Sequence, residues 1–127
     1  MDLVRVRVGI IGGGIGGLAA AIALSARGAE VRVFEGAADR RREGVALLLW
    51  ANAMKALGSL GIDEAVRERA TAIDITEVRN ARGDLLCELP ICEWSRSGSV
   101  PTVAVRRPDL VAALSRALPP EIGRAHV

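Results

Sequence analysis

The chain has 127 residues, half of them hydrophobic, with 17 basic and 15 acidic side chains and a formal net charge of +2. This length allows one small domain with its own core. Near-balanced charge and 2% aromatic residues exclude a typical nucleic-acid-binding surface, and an N-terminus that carries Asp2, Arg5 and Arg7 is neither a signal peptide nor a membrane span. We therefore expect a cytoplasmic protein that binds neither nucleic acid nor membrane.

The first predicted elements are a strand, a glycine-rich turn and a helix. The apolar run Val4–Ile11 has the β-branched residues of a buried parallel strand. It continues directly into Gly12-x-Gly14-x-x-Gly17. An alanine-rich helix, Leu18–Arg27, follows that motif.

A second strand and an acidic residue complete this unit. Gly28 is placed to end the helix, and the strand Val31–Phe34 leads to Glu35. The order strand, glycine motif, helix and strand predicts a Rossmann-like βαβ unit with a parallel sheet. Such a context makes the glycine motif informative, although an ordinary βαβ unit with a glycine-rich turn remains the alternative.

The glycine motif has the residues that a dinucleotide phosphate requires. Gly12 allows the sharp turn from strand to helix, Gly14 lets a pyrophosphate approach the backbone, and Gly17 allows close packing of the helix on the sheet. Ile15 and Gly16 lie at the start of the helix, where unpaired N–H groups and the helix dipole favour a diphosphate.

Glu35 is the candidate residue for an adenosine ribose. It lies 18 residues after Gly17, and a carboxylate at the end of the second strand can accept hydrogen bonds from both ribose hydroxyls. A negative charge at this position argues against a 2′-phosphate, since like charges repel.

The following segment predicts one strand and two helices. Residues 36–43 are polar and form a connection, whereas the apolar run 44–50 predicts a strand. Asn52 is a plausible N-cap for a helix Ala53–Leu60. Asp63 similarly predicts the start of a short helix, Glu64–Arg69.

The character of the chain changes from Thr71 onwards. β-Branched residues, the turn Asn80–Asp84 and the run Leu85–Leu89 predict an antiparallel hairpin. A polar loop at 94–99 and a short strand, Thr102–Val105, follow. The last predicted element is a helix with Pro108 at its first position, which runs to Leu118.

The remaining reactive side chains suggest no catalytic or metal site. Cys87 and Cys92 have neither a zinc spacing nor the spacing of a redox pair, so we expect free thiols. The sequence shows no Ser/His/Asp set, no paired carboxylates and no metal-ligand cluster. We therefore assign no catalytic residue, and every candidate is a cofactor-binding residue.

Four features together resemble the N-terminal part of the FAD-dependent aromatic-ring hydroxylases, the p-hydroxybenzoate-hydroxylase-like flavin monooxygenases. They are the Gly12–Glu35 unit, Arg41-x-x-Gly44, Leu49-Trp50-x-Asn52-Ala53, and Val105-Arg106-Arg107-x-Asp109-Leu110. The resemblance implies an incomplete α/β fold: a Rossmann-like FAD-binding unit with a parallel sheet, and the start of an antiparallel β substrate region. Residues 1–120 would be the incomplete FAD-binding domain, and about 71–100 the hairpin excursion toward the substrate domain.

The resemblance also implies roles for the candidate residues. Gly12, Gly14, Ile15, Gly16 and Gly17 would hold the FAD pyrophosphate, Glu35 the ribose, Arg41 the ADP part and Arg107 the flavin side. Arginine suits the last two because it contacts phosphates in a fixed geometry and stacks on planar rings. The alternatives are that both arginines are surface charges, or that Arg42 and Arg106 take these positions.

In the resembled family, FAD is reduced by NAD(P)H and then reacts with O₂ to hydroxylate a small, typically aromatic, substrate. Two alternatives stay open: another FAD- or NAD-linked Rossmann oxidoreductase, and a truncated chain without activity. Later family motifs are missing, so the fragment alone is expected to be inactive. Residues 121–127 match no continuation of the family and are expected to be a non-native tail.

Overall fold

The structure is a computed structural model that describes residues 6–36, 45–96, 100–120, 122 and 124–126. It divides into two compact units, one of residues 1–45 and 106–127 and the other of residues 46–105. Arg41 and Gly44, which carry one of the sequence predictions, lie outside the described residues. Within the described part, none of the helices is long and apolar enough to cross a membrane.

The chain alternates strands and helices in its first part and is richer in short strands in its second. The strands are β1 Arg7–Ile11, β2 Glu30–Glu35, β3 Ala46–Leu49, β4 Thr71–Ala72, β5 Thr76–Arg79, β6 Leu85–Leu89, β7 Val103–Arg106 and β8 Arg124–His126. The helices are α1 Ile15–Ser25, α2 Ala51–Ser59, α3 Asp63–Arg67, α4 Ile91–Arg96 and α5 Arg107–Ala117.

The first unit is built on a parallel sheet with the strand order β1-β2-β8. Residues of β1 and β2 pair in register from Arg7 opposite Glu30 to Ile11 opposite Phe34. The predicted parallel βαβ unit is therefore confirmed. Its core contains residues of α1, β2 and the segment before β8: Ala21, Ala29, Val31, Val33 and Ile122.

Alternation along the strands separates the two faces of this sheet. Val8 and Ile10 pack against the core, as do Val31 and Val33, because successive residues of a strand point to opposite faces. A cleft of about 270 Å³ on this sheet is lined by Arg7, Val8, Gly9, Glu30, Arg32 and Phe34. None of these lining residues belongs to the glycine motif.

The second unit contains a three-stranded sheet of order β3-β7-β4 and a separate two-stranded sheet. Strands β5 and β6 pair antiparallel, with Thr76 opposite Leu89, which confirms the predicted hairpin. The turn between them is closed by a hydrogen bond from Asn80 N to Asp84 O of 3.0 Å. Helices α2 and α3 bury Met54, Leu57 and Val66.

Two helix starts differ from the sequence prediction. Trp50, not Asn52, is the N-cap of α2, and Asn52 is an exposed residue of the first turn. Asp63 is the first residue of α3, not its cap, and its carboxylate lies 3.3 Å from Arg67 Nη2. Asp63 still favours the helix dipole from inside the first turn of α3, because it is an acid near the N-terminus.

The predicted polar loop at 94–99 is also wrong in part, because residues 91–96 form α4. Ile91 is fully buried, and Cys92 N donates to Asp74 O at 2.9 Å. These contacts join residues far apart in the chain, so a local reading of the polar sequence does not reveal them.

The ends of the remaining elements shift by a few residues. Helix α1 begins at Ile15, three residues before the predicted Leu18, so that its first turn includes glycines of the motif. Helix α5 begins at Arg107, with Pro108 second, and ends at Ala117 before the predicted Leu118. Strand β8, which pairs with β2, falls within the segment that was predicted to be a non-native tail.

Candidate functional site

The glycine loop begins where β1 ends, beside the end of β2. Gly12 N donates a hydrogen bond to Phe34 O at 2.8 Å, which ties the start of the loop to the neighbouring strand. Gly12 has a φ of +102°, a conformation that side chains other than glycine rarely adopt. The loop therefore turns at the residue that the sequence predicted.

Close packing between the loop and α1 depends on Gly17. A β-carbon on Gly17 would overlap the carbonyl oxygen of Gly12 and would lie 3.3 Å from Ile10 Cγ2. The backbone of the loop cannot move away without losing its bond to Phe34, so any side chain at position 17 would separate the helix from the sheet. Gly17 thus has the packing role that its place in the motif predicts.

The N-terminus of α1 presents donors to open space. The first helical bond runs from Leu18 N to Gly14 O at 2.9 Å, so the N–H groups of Ile15, Gly16 and Gly17 precede the helical ladder. Gly14 is the N-cap without a side-chain hydrogen bond, and the first turn has no acidic residue.

The space in front of this helix end fits an anion. A β-carbon at Gly14 or at Gly16 would meet no atom within 4 Å. An anion such as a pyrophosphate can therefore approach the backbone N–H groups, which the helix dipole makes attractive to negative charge. These features fit the dinucleotide that the sequence predicted.

Glu35 lies at the end of β2, next to the loop. Gly13 N donates to Glu35 Oε2 at 2.7 Å, and the pair is partly buried. The structure thus brings together the glycine loop and the predicted ribose-binding carboxylate. Gly13 was not among the predicted site residues, because the motif allows any residue at this position; the run of three glycines was the signal that could have identified it.

The two adjacent arginines at the start of α5 have different environments. The Arg106 side chain is 75% exposed, and its Nε donates to Asp109 Oδ2 at 2.7 Å. That hydrogen bond, together with the carboxylate charge, raises the pKa of Arg106 above its usual value. Arg107 is half-buried, and its backbone N donates to Val45 O at 3.2 Å. The Arg106 side chain is therefore engaged with Asp109 of the adjoining helix, whereas Arg107 is tied to Val45 through its backbone.

The other candidates add no competing chemistry. Cys87 and Cys92 are free thiols. Among the residues that the structure describes, no group of three or more His, Cys, Asp or Glu side chains could hold a metal ion. Arg41 and its neighbour Arg42 lie outside the described ranges, so their predicted roles are not addressed by this geometry.

Comparison with known proteins identifies the family of the chain. The family described as "FAD binding domain" matches residues 5–124. The chain is 33% identical over 118 residues to 6-hydroxynicotinate 3-monooxygenase of Pseudomonas fluorescens, covering 91% of this chain and 31% of that protein. It is 38% identical over 107 residues to 3-hydroxybenzoate 6-hydroxylase of Polaromonas naphthalenivorans, covering 83% of this chain and 27% of that protein.

A solved structure shows the same fold. The tetrameric form of 2-methyl-3-hydroxypyridine-5-carboxylic acid oxygenase superposes with a TM-score of 0.81 at 25% identity, covering 95% of this chain and 31% of that one. The chain therefore spans less than a third of the length of these proteins.

Proposed function

Because the chain belongs to the FAD binding domain family, we propose that its complete polypeptide is a flavin monooxygenase that hydroxylates a small aromatic substrate. The resemblance to aromatic-ring hydroxylases is confirmed by relatives whose names state such reactions. The observation that carries the proposal is the family match, which spans nearly the whole chain and includes the loop, Glu35 and Arg107.

In this proposal the glycine loop holds the pyrophosphate of FAD. Gly12 sets the turn, Gly14 and Gly16 leave room for the phosphate oxygens, and Gly17 keeps the helix in place. The N–H groups at the start of α1, including that of Ile15, donate to the diphosphate. No metal ion is needed for these contacts, since the donors and the helix dipole supply the favourable charge.

Glu35 binds the adenosine ribose in the same proposal. Its carboxylate is fixed beside the loop by the Gly13 N–H, where it can accept hydrogen bonds from ribose hydroxyls. A 2′-phosphate at this position would be repelled. This preference concerns the FAD site, so it does not choose between NADH and NADPH as the co-substrate.

The arginines complete the proposed cofactor site. Arg107, at the start of α5, contacts the flavin side of FAD, and Arg41 lies along the ADP part. Arg107 is half-buried as a residue, and its planar guanidinium suits contacts with a ring or a phosphate. Arg106 is not part of this site.

FAD held by the glycine loop, Glu35 and the arginines would supply the redox chemistry between NAD(P)H, O₂ and the substrate. The balanced reaction converts an aromatic C–H group, O₂, NAD(P)H and a proton into a C–OH group, water and NAD(P)⁺. The residues described above bind and orient the cofactor, and none of them transfers a proton or forms a bond with the substrate.

We also propose a substrate class, a cellular location and domain boundaries. Relatives named for hydroxybenzoate, hydroxynicotinate and urate support a small aromatic or heterocyclic substrate, and we infer a cytoplasmic location.

We also retain the predicted domain boundaries. Residues 1–120 form an incomplete FAD-binding domain with an excursion at about 71–100, and residues 121–127 form a non-native tail. The fragment alone is proposed to be inactive.

The proposal is tested on the complete polypeptide encoded at the source locus. We expect a yellow protein whose FAD can be released and rebound, and whose NAD(P)H oxidation and O₂ consumption are stimulated by a phenol or hydroxylated pyridine. Formation of the hydroxylated product by mass spectrometry completes the test. A protein that stays colourless after reconstitution contradicts the proposal. A yellow protein whose NAD(P)H oxidation no aromatic compound stimulates indicates a different flavin oxidoreductase.

A further inference from the structure

Position 13 is occupied by glycine although the phosphate-binding motif does not require glycine there. Gly13 is not in the left-handed region that demands glycine, unlike Gly12. Its surroundings give a different reason. A β-carbon on Gly13 would lie 3.1 Å from Glu35 Oε2 and 3.3 Å from Glu35 Cβ, closer than side chains normally pack. A side chain at position 13 would therefore displace the Glu35 side chain by a few tenths of an ångström.

The same glycine also holds the carboxylate. Gly13 N donates to Glu35 Oε2 at 2.7 Å, directly after the bond of 2.8 Å from Gly12 N to Phe34 O. Two consecutive N–H groups therefore point to the end of β2. In a regular strand successive N–H groups point to opposite sides, so this arrangement depends on the positive φ of Gly12.

We propose that Gly13 is a positioning residue for the adenosine ribose of the cofactor, acting through Glu35. Its N–H fixes one carboxylate oxygen at the mouth of the loop, and its missing side chain leaves the volume that the carboxylate occupies. The inference rests on the proposed function for the identity of the ligand, whereas the contact between Gly13 and Glu35 exists without any ligand.

The proposal predicts an effect on specificity as well as on affinity. A side chain at position 13 would push the Glu35 carboxylate away from the loop, so that the ribose hydroxyls lose a fixed acceptor. The displaced charge would also repel a 2′-phosphate less effectively. Position 13 would therefore set how strongly the site prefers a plain ribose.

Binding measurements on the complete polypeptide, freed of its flavin, test this role. Titration with FAD gives the affinity, and ADP and adenosine 2′,5′-bisphosphate are the probes for the ribose preference. We expect Gly13→Ala to weaken FAD binding about fivefold and Glu35→Ala about tenfold or more, in line with the usual value of hydrogen bonds to charged groups. Gly13→Val should weaken FAD binding more than Gly13→Ala does. It should also reduce the preference for ADP over the bisphosphate.

A double-mutant cycle shows whether Gly13 acts through Glu35. With the carboxylate already removed, Gly13→Ala should cause a much smaller further loss, because the hydrogen bond and the contact with Oε2 are gone and only the contact with the β-carbon of residue 35 remains. Gly36→Ala is the matched control, since it adds a β-carbon next to Glu35 where no atom lies within 4 Å. It should change FAD affinity less than twofold. Additive losses in the double variant would overturn the proposal.

Hydrogen exchange in the flavin-free protein provides a readout that does not depend on the ligand. With ¹⁵N-labelled glycine, the Gly13 amide should exchange slowly in the original protein and in Glu35→Gln, which keeps an acceptor oxygen. It should exchange faster in Glu35→Ala. Equal exchange rates in all three would overturn the positioning role. A protein that binds no adenine nucleotide would instead overturn the proposed function, while the exchange result would still be informative.

Discussion

Gly17, in the first turn of α1, faces the carbonyl oxygen of Gly12 so closely that no β-carbon fits between them. Because Gly12 is in turn bonded to Phe34 at 2.8 Å, the helix, the loop and the second strand are fixed to one another. The position of the helix N-terminus, and hence of the phosphate donors, depends on this contact.

Gly17→Ala is therefore expected to be strongly destabilising. Overpacking a rigid site costs about 1–3 kcal/mol. The atom that must move here, the carbonyl oxygen of Gly12, belongs to the backbone. The matched control is Gly16→Ala, which adds the same β-carbon in the same helical turn, where no atom lies within 4 Å. That change should be neutral or should stabilise by up to about 1 kcal/mol, because alanine is the better helix former.

Thermal and urea unfolding of the flavin-free protein measure both changes. We expect the melting temperature to fall for Gly17→Ala and to stay or rise for Gly16→Ala. Equal melting temperatures for the two variants would show that α1 can shift away from the loop at little cost, contrary to the packing described above.

Replacing the two arginines at the start of α5 separates the proposed cofactor contact of Arg107 from the surface ion pair of Arg106. Arg107→Ala should raise the dissociation constant for FAD about tenfold, since a charged hydrogen bond contributes about 1.5–3 kcal/mol. Lysine at this position should restore little of the affinity, because it lacks the planar guanidinium. Arg106→Ala is the control and should leave FAD binding unchanged, since its side chain is 75% exposed and bonded to Asp109.

FAD titrations followed by flavin fluorescence measure the dissociation constant of each variant. Should Arg106→Ala weaken binding as much as Arg107→Ala does, the assignment of the two neighbours would have to be exchanged.

Because arginine keeps its proton at all ordinary pH values, the raised pKa of Arg106 predicts no pH dependence of stability below about pH 10.

The hairpin of β5 and β6 predicts poor solubility of the 127-residue chain. It exposes several large apolar side chains, with exposures of 41% for Val78, 50% for Leu85 and 63% for Leu86. An exposed apolar strand at a sheet edge promotes association between chains. We expect the chain expressed alone to be mostly insoluble and to bind FAD weakly or not at all.

Leu86→Thr should raise the soluble fraction severalfold while changing the free energy of unfolding by less than about 0.5 kcal/mol, as surface substitutions usually do. Glu88→Gln, which changes an exposed polar residue of the same strand, is the control and should not raise the soluble fraction. The measurements are soluble yield and light scattering at equal expression. A soluble, yellow, monomeric product from the unchanged chain would contradict this prediction.

Sequencing of the source locus tests the prediction that residues 121–127 are a non-native tail. We expect the source locus to diverge from the printed sequence after Pro120, so that it does not encode Glu121–Val127. A genomic reading that reproduces this run would show that Ile122, which is buried in the core of the first unit, is a native core residue.

The parts of the fold that the sequence predicted correctly are those with local causes. The first βαβ unit follows from two apolar strands, an alanine-rich helix and a glycine with φ +102° between them. The hairpin similarly follows from a turn cluster whose Gly83 has φ +89°. In each case neighbouring residues alone determine the conformation, so the pattern can be recognised without tertiary contacts.

The parts that were missed depend on contacts between distant residues. Helix α4 has a mostly polar sequence, and it is held by the buried Ile91 and by the bond from Cys92 to Asp74. The role proposed for Gly13 depends on a side chain 22 residues away. Helix α2 begins at Ala51 although Asn52 has the stronger capping preference, because a helix end near water can satisfy its first N–H groups without a side-chain cap.

The backbone bond of 3.2 Å from Arg107 to Val45 has a consequence for the length of the chain between them. Both residues belong to the first unit, so the two ends of the intervening stretch are held together within that unit. Closing a longer stretch between these ends adds little entropic cost. Insertions between them should therefore be tolerated while the glycine loop keeps its place.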